Sequence, residues 1–295
     1  MNERSRIPAF VNPRAGNADS ARSALSAVGG FDIHEVPATT LAERVRAAIN
    51  EGATRILVAG GDGSIGSAAS ALAGTNVELA ILPCGTLNHL AKDLSLPLDL
   101  ELAARVALEG RAIAVDSAVV NDRIFLNTSS VGAYVTFVRA RERLERRLGY
   151  HIASIIAAAR LLLRLPTFRV TLQVEGVTRE YLTPLVFIAV GERELKLPTL
   201  GARVPDGQTG LHVMVIRRRS GARTLALALA AAARGVNAVA QTPALDSFLV
   251  DACRIEPRMR MIAVDGELVR ASPPLEYRHV SGHLRVVVPN PSEES

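Results

Sequence analysis

The chain has 295 residues, of which 48% are hydrophobic and 21% charged, and its net charge of +5 is carried almost wholly by arginine, since Lys92 and Lys196 are the only lysines. That length and apolar content exclude disorder and allow two domains with separate cores. No apolar run reaches the roughly 18 residues of a membrane span, and aromatics at 4% with no interleaved basic run argue against a nucleic-acid partner.

From residue 7 to about 116 the pattern alternates strand and helix. Strands are predicted at 7–11, 31–36, 55–59, 79–82 and 112–115, and helices at 18–28, 41–50, 65–73, 87–94 and 100–108. Thr40-Leu41-Ala42-Glu43 has capping-box spacing at the head of the second helix. Such alternation implies a mostly parallel, doubly wound sheet, whose ligands gather at the carboxyl ends of the strands. After Asp116 short β segments dominate, at 119–120, 124–127, 168–174, 185–190, 211–216, 258–264 and 284–288, as in an antiparallel sandwich. Helical stretches at 136–165 and 224–240 interrupt them. The expected fold is therefore α/β: a Rossmann-like domain over 1–118 and a β-rich domain over 119–295 whose last strand returns towards the first. The first of those helical stretches carries Arg139, Arg141, Arg143, Arg146 and Arg147, which form either a solvated face or a contact with anionic lipid.

Ile56-Leu57-Val58-Ala59 runs straight into Gly60-Gly61-Asp62-Gly63-Ser64-Ile65-Gly66. A glycine turn of this kind exposes backbone N–H groups and suits a phosphate. A carboxylate beside phosphate oxygens would repel them unless a divalent cation lies between, which makes Asp62 a candidate metal ligand. The run satisfies the G-x-G-x-x-G dinucleotide spacing, but no acidic residue follows the next strand, which ends in Pro83-Cys84-Gly85-Thr86. No Walker A lysine is present. A glycine turn without a ligand and a GGDG[TS] kinase loop are the remaining readings.

Three segments in order narrow the choice. Asn12-Pro13-Arg14-Ala15-Gly16, Gly60-Gly61-Asp62-Gly63-Ser64 and Pro83-Cys84-Gly85-Thr86-Leu87-Asn88-His89-Leu90-Ala91 resemble the NPxxG, GGDGT and PxGTxNxxA motifs of the diacylglycerol kinase catalytic family. Phe125-Leu126-Asn127-Thr128-Ser129-Ser130-Val131-Gly132 looks like its F-x-N-x-x-x-x-G stretch, and Asp265-Gly266-Glu267 like its late DGE motif. The resemblance implies ATP-dependent phosphorylation of a lipid hydroxyl, in a cleft between a nucleotide domain and a β-rich domain. By position it assigns the nucleotide to Asn12, Gly60, Gly61, Asp62, Gly63, Ser64, Gly85, Thr86 and Asn88, with Asp62 and Asp116 in a Mg²⁺ network. It makes Glu267 the general base, although the residue after an Asp-Gly hairpin is ordinarily just solvated. Asp206-Gly207 matches an Asp-Gly that holds a structural Mg²⁺ in the family, and a bare turn explains it equally well.

Two positions depart from the family pattern. Ser64 replaces the usual Thr and keeps the hydroxyl, while His89 stands where many relatives have Asp and removes a carboxylate from the metal network. Asp93 or a water would then substitute, or coordination rests on Asp62 and Asp116. An NAD kinase shares the GGDG[TS] loop and is the alternative enzyme, and a non-catalytic nucleotide- or lipid-binding module is the alternative outside catalysis. The expected partners are ATP, Mg²⁺, a lipid alcohol and, transiently, an anionic membrane surface, with a homodimer left open and nucleic acid excluded. The apolar segment at 7–11 is too short for a secretory leader, so the expected location is the cytoplasm, with peripheral contact at the inner membrane face.

Overall fold

A computed structural model of the chain describes residues 6–133, 135, 139, 143, 167–195, 200–204, 207–217 and 245–291. The chain divides into two compact units, one of residues 1–117 and 281–295 and the other of residues 118–280.

The first unit alternates strand and helix: β1 (Ile7–Val11), α1 (Ala18–Val28), β2 (Phe31–Glu35), α2 (Ala38–Asn50), β3 (Arg55–Gly60), α3 (Asp62–Leu72), β4 (Glu78–Pro83), α4 (His89–Asp93), α5 (Leu100–Glu109) and the start of β5 (Arg111–Val120). β2, β1, β3 and β4 lie side by side, all parallel. Next to β4, again parallel, runs the end of the last strand of the chain, with Arg285 opposite Glu78 and Val286 opposite Leu79. Ile56, Leu57, Val58 and Ala59 are all fully buried, as expected of a parallel strand covered on both faces. α1 and α5 cover one face, where Ala18, Ala21, Leu25, Ala103, Ala104 and Ala107 meet Ala9, Leu57, Ala80 and Leu82. So many alanines let the helices approach the sheet closely while still excluding water.

Three helix starts differ from the sequence pattern, that of α4 by two residues, at His89 rather than 87. α2 begins at Ala38 after Pro37, not at the Thr40 capping box; the Thr40 N–H and hydroxyl both donate to the Pro37 carbonyl, so Thr40 already lies inside the first turn. α3 begins at Asp62, because the Gly61 carbonyl accepts the N–H groups of Ser64 and Ile65 and closes the first turn there.

The second unit holds the rest of β5, β6 (Arg123–Phe125), β7 (Thr128–Gly132), β8 (Phe168–Val174), β9 (Val177–Thr183), β10 (Leu185–Val190), β11 (Arg193–Leu195), β12 (Leu200–Arg203), β13 (Leu211–Ile216), β14 (Leu245–Val250), β15 (Ala252–Pro257), β16 (Met261–Val264), β17 (Glu267–Arg270) and the start of β18 (Leu275–Val288). β14, β13, β10, β7, β16 and β17 form one antiparallel sheet, and β9, β8, β15 and β18 form an antiparallel ladder. Their inner faces share one core, in which Val170, Leu172, Ile255, Leu275 and Tyr277 of the ladder meet Val186, Ile188, Val213 and Ile262 of the sheet. Tyr277 is fully enclosed, edge-on to Phe125, with its hydroxyl 3.0 Å from Ser129 Oγ. The predicted helix at 224–240 lies outside the described residues. Of the one predicted at 136–165, Arg139 and Arg143 are described; both are helical and exposed. No helix among the described residues is long and apolar enough to cross a membrane.

Candidate functional site

The loops at the carboxyl ends of β1, β3 and β4 come together in the first unit. Asn12 follows β1; its N–H donates to the Ala59 carbonyl, its Nδ2 donates to Ser64 Oγ at 2.9 Å, and its Oδ1 accepts the Arg14 N–H at 3.0 Å. The side chain therefore ties the first loop to the first turn of α3. Ser64 is buried there, and a Cβ on Gly60 would lie 2.5 Å from the Ser64 Cβ, so only glycine fits at that point.

The β3 and β4 loops touch backbone to backbone. A Cβ on Gly85 would stand 2.6 Å from the Gly61 Cα and 2.8 Å from Asn88 Oδ1. Asn88 closes the β4 loop on itself, accepting the Gly85 N–H at 2.9 Å and donating to the Gly85 carbonyl at 2.8 Å. It does so from the left-handed region, at φ 50°, which asparagine tolerates better than most residues. The next N–H, that of His89, donates to Asp62 Oδ1 at 2.7 Å. Asp62 is thus the first residue of α3 and is held by the first residue of α4. Its carboxylate sits at the positive end of α3, where the first N–H groups lack partners within the helix.

Of the residues singled out from the sequence, Asn12, Gly60, Gly61, Asp62, Ser64, Gly85 and Asn88 are joined by these contacts. Gly63 lies in the first turn of α3, and Thr86 is exposed on the β4 loop. Asp116 is half-buried in β5, where its Oδ1 accepts the Gly282 N–H at 2.8 Å and the Ser281 hydroxyl at 3.2 Å. Glu267 belongs to the second unit, exposed at the start of β17 and paired with Val264. Asp206 lies outside the described residues. Among the described residues no three His, Cys, Asp or Glu side chains converge as a metal cage.

Sequence reasoning passed over Asp265. Its carboxylate accepts the N–H groups of Leu126, Asn127 and Thr128, each at 2.9 Å. The two quoted motifs lie far apart in the chain and meet at this residue through main-chain donors, which leave no mark in the sequence.

A parallel-sheet unit with glycine turns at its strand ends, followed by an antiparallel β unit, defines a two-part α/β protein. Residues 6–120 match the diacylglycerol kinase catalytic domain. The Cronobacter sakazakii protein named probable lipid kinase YegS-like is 40% identical over 114 residues, 37% of this chain and 38% of that protein. The diacylglycerol kinase of Mycobacterium tuberculosis is 28% identical over 176 residues, 54% of this chain and 57% of that protein. The chain thus spans between about two fifths and three fifths of the length of these relatives. The crystal structure of a diacylglycerol kinase from Bacillus anthracis str. Sterne has the same fold over 98% of both chains, with a TM-score of 0.67 at 19% identity. A further structure from that organism reaches 0.73 at 20% identity, also over 98% of both chains.

Proposed function

We propose that the chain is an ATP-dependent lipid kinase that transfers the γ-phosphate to the hydroxyl of diacylglycerol or a related lipid alcohol. The observation that carries this reading is the placement of Asp62: a carboxylate at the head of a helix, beside two glycine turns packed backbone to backbone, and fixed by the His89 N–H. Glycines at 60, 61 and 85 let the loops and the first turn of α3 pack against one another without side chains in between, and the hydroxyl of Thr86, exposed on the β4 loop, is free to turn towards phosphate oxygens.

Mg²⁺ that arrives with nucleotide phosphates needs only one or two protein carboxylates, so Asp62 suffices as its anchor. When bound, the cation lowers the charge repulsion that opposes attack on the γ-phosphorus. Asn12 ties the β1 loop to the first turn of α3, and Asn88 closes the β4 loop on itself. Glu267 accepts the proton of the lipid hydroxyl as the lipid oxygen bonds to the γ-phosphorus. The bond from that phosphorus to the β-phosphate oxygen breaks, and ADP leaves. The acceptor is drawn from an anionic membrane surface, for which Arg139 and Arg143, both exposed, supply positive charge.

The test is incubation of the full chain with Mg²⁺, γ-labelled ATP and vesicles carrying monoacyl, diacyl or sphingoid alcohols. Labelled lipid is the expected product, and Asp62→Asn lowers kcat by about a hundredfold or more. Label in NADP, or in no lipid of the panel, overturns the reading.

A further inference from the structure

The Asp265-Gly266 turn joins β16 to β17 with both residues at positive φ, 46° and 84°, as a two-residue turn of the primed type requires. Such a turn is closed as well by asparagine as by aspartate, so the turn does not account for a carboxylate. The carboxylate has another task. Oδ2 accepts the Leu126 N–H, and Oδ1 accepts those of Asn127 and Thr128, all at 2.9 Å, while the Asp265 N–H donates to the Thr128 carbonyl at 2.7 Å. The Asn127 carbonyl in turn accepts the Val190 N–H at 3.0 Å, tying this bend to β10. Hairpin tips are ordinarily among the more mobile parts of a sheet. This one is clamped by charge-assisted bonds to a second segment, and Glu267 begins its outgoing strand.

We infer that Asp265 is a positioning residue for phosphoryl transfer: its carboxylate fixes the hairpin that presents Glu267 by gripping three consecutive N–H groups at Leu126, Asn127 and Thr128. The inference rests on the proposed role of Glu267 as the base. An asparagine at 265 keeps the turn but offers a single acceptor oxygen, and its amide hydrogens oppose the donor that Oδ2 served.

The experiment uses the full chain with Asp265→Asn, Glu267→Gln and the double variant, assayed for lipid phosphorylation, ATP affinity and amide hydrogen exchange. Asp265→Asn is expected to lower kcat by about tenfold or more while the KM for ATP stays within about twofold. In the Glu267→Gln background it is expected to add less than about twofold, because two residues acting as one unit are not additive. The amides of 126–128 should exchange faster. Asp265→Ser, which retains an acceptor oxygen at the turn, carries the same expectations through the same cycle, so the result does not hang on the folding of one variant. An active wild type with unchanged kcat in the variants, or with losses that multiply in the double variant, overturns this inference and leaves the kinase reading intact. A wild type that phosphorylates no lipid overturns both.

Discussion

A methyl group at Gly85 has nowhere to go. Its neighbours at 2.6 and 2.8 Å are the Gly61 backbone and the Asn88 oxygen that seals the loop, and neither is the end of a flexible chain. Gly85→Ala is therefore expected to weaken ATP binding by about tenfold or more, and titration with a fluorescent nucleotide would show it. His212 illustrates a different single-residue effect. Its Nδ1 accepts the Arg193 N–H at 3.0 Å and its Nε2 lies 2.7 Å from Ser247 Oγ, so the ring is held neutral with its proton on Nε2. Burial lowers its pKa from 6.5, with Arg193 adding in the same direction and Glu192 opposing. Protonation favours the unfolded chain, in which the ring titrates normally, so this contribution is whole above about pH 6.5 and is lost as pH falls below it. Thermal unfolding of the wild type should lose more stability between pH 7 and 5.5 than that of His212→Gln. The thiols act at the other end of the scale: burial raises Cys84 from 9.0 to about 11 and Cys253 to about 12. Both should resist alkylation at pH 8 in the folded chain and react in denaturant.

At the scale of the element, α5 is held at its end by a residue from a strand. Arg55 of β3 donates to the carbonyls of Ala107, Leu108 and Gly110, satisfying the last turn of the helix, and pairs with Glu78 at 2.7 Å. Arg55 and Glu78 are about four-fifths buried, with side-chain exposures of 18% and 23%. Arg55→Ala is expected to cost about 2 kcal/mol, read as a fall in the denaturant midpoint at constant slope, with Glu78 left to Arg285 at 3.5 Å. Elements were legible in the sequence where burial on both faces wrote an apolar run, as in β3, or where an amphipathic stripe wrote a helix, as in α1. They were illegible where exposure erased the pattern. β9, Val-Thr-Arg-Glu-Tyr-Leu-Thr, is an edge strand with most of its residues in solvent. The glycines of the Gly60 loop hid the start of α3, since a residue with poor helix propensity gives no signal where a single carbonyl decides the turn.

For the whole molecule, two strands belong to both units: β5 passes from one to the other after Ser117, and β18 after Val280. Leu284, Val286, Val287 and Val288 of β18 are buried in the first unit. A chain cut after residue 280 should consequently lose the cooperative unfolding of the first unit and its ATP affinity, as circular dichroism and nucleotide titration would report. The glycine and asparagine motifs were legible because close backbone packing at the strand ends restricts residue type and spacing. The grip of Asp265 on residues 126–128 was not, because it joins positions well over a hundred apart through main-chain donors that any residue supplies.

The pairing of β18 with β4 also fixes an order of events during synthesis. β1, β3 and β4 leave the ribosome early, with the loops that read as a phosphate site, yet the strand that covers the flank of β4 is made only once residues 285–288 have been translated. Until then a nascent first unit exposes an open edge and an unfilled apolar core, the condition under which chains pair with the wrong partner. The two units cannot mature strictly one after the other from the amino terminus, and nucleotide supplied during translation should protect the first unit only after the last strand has emerged.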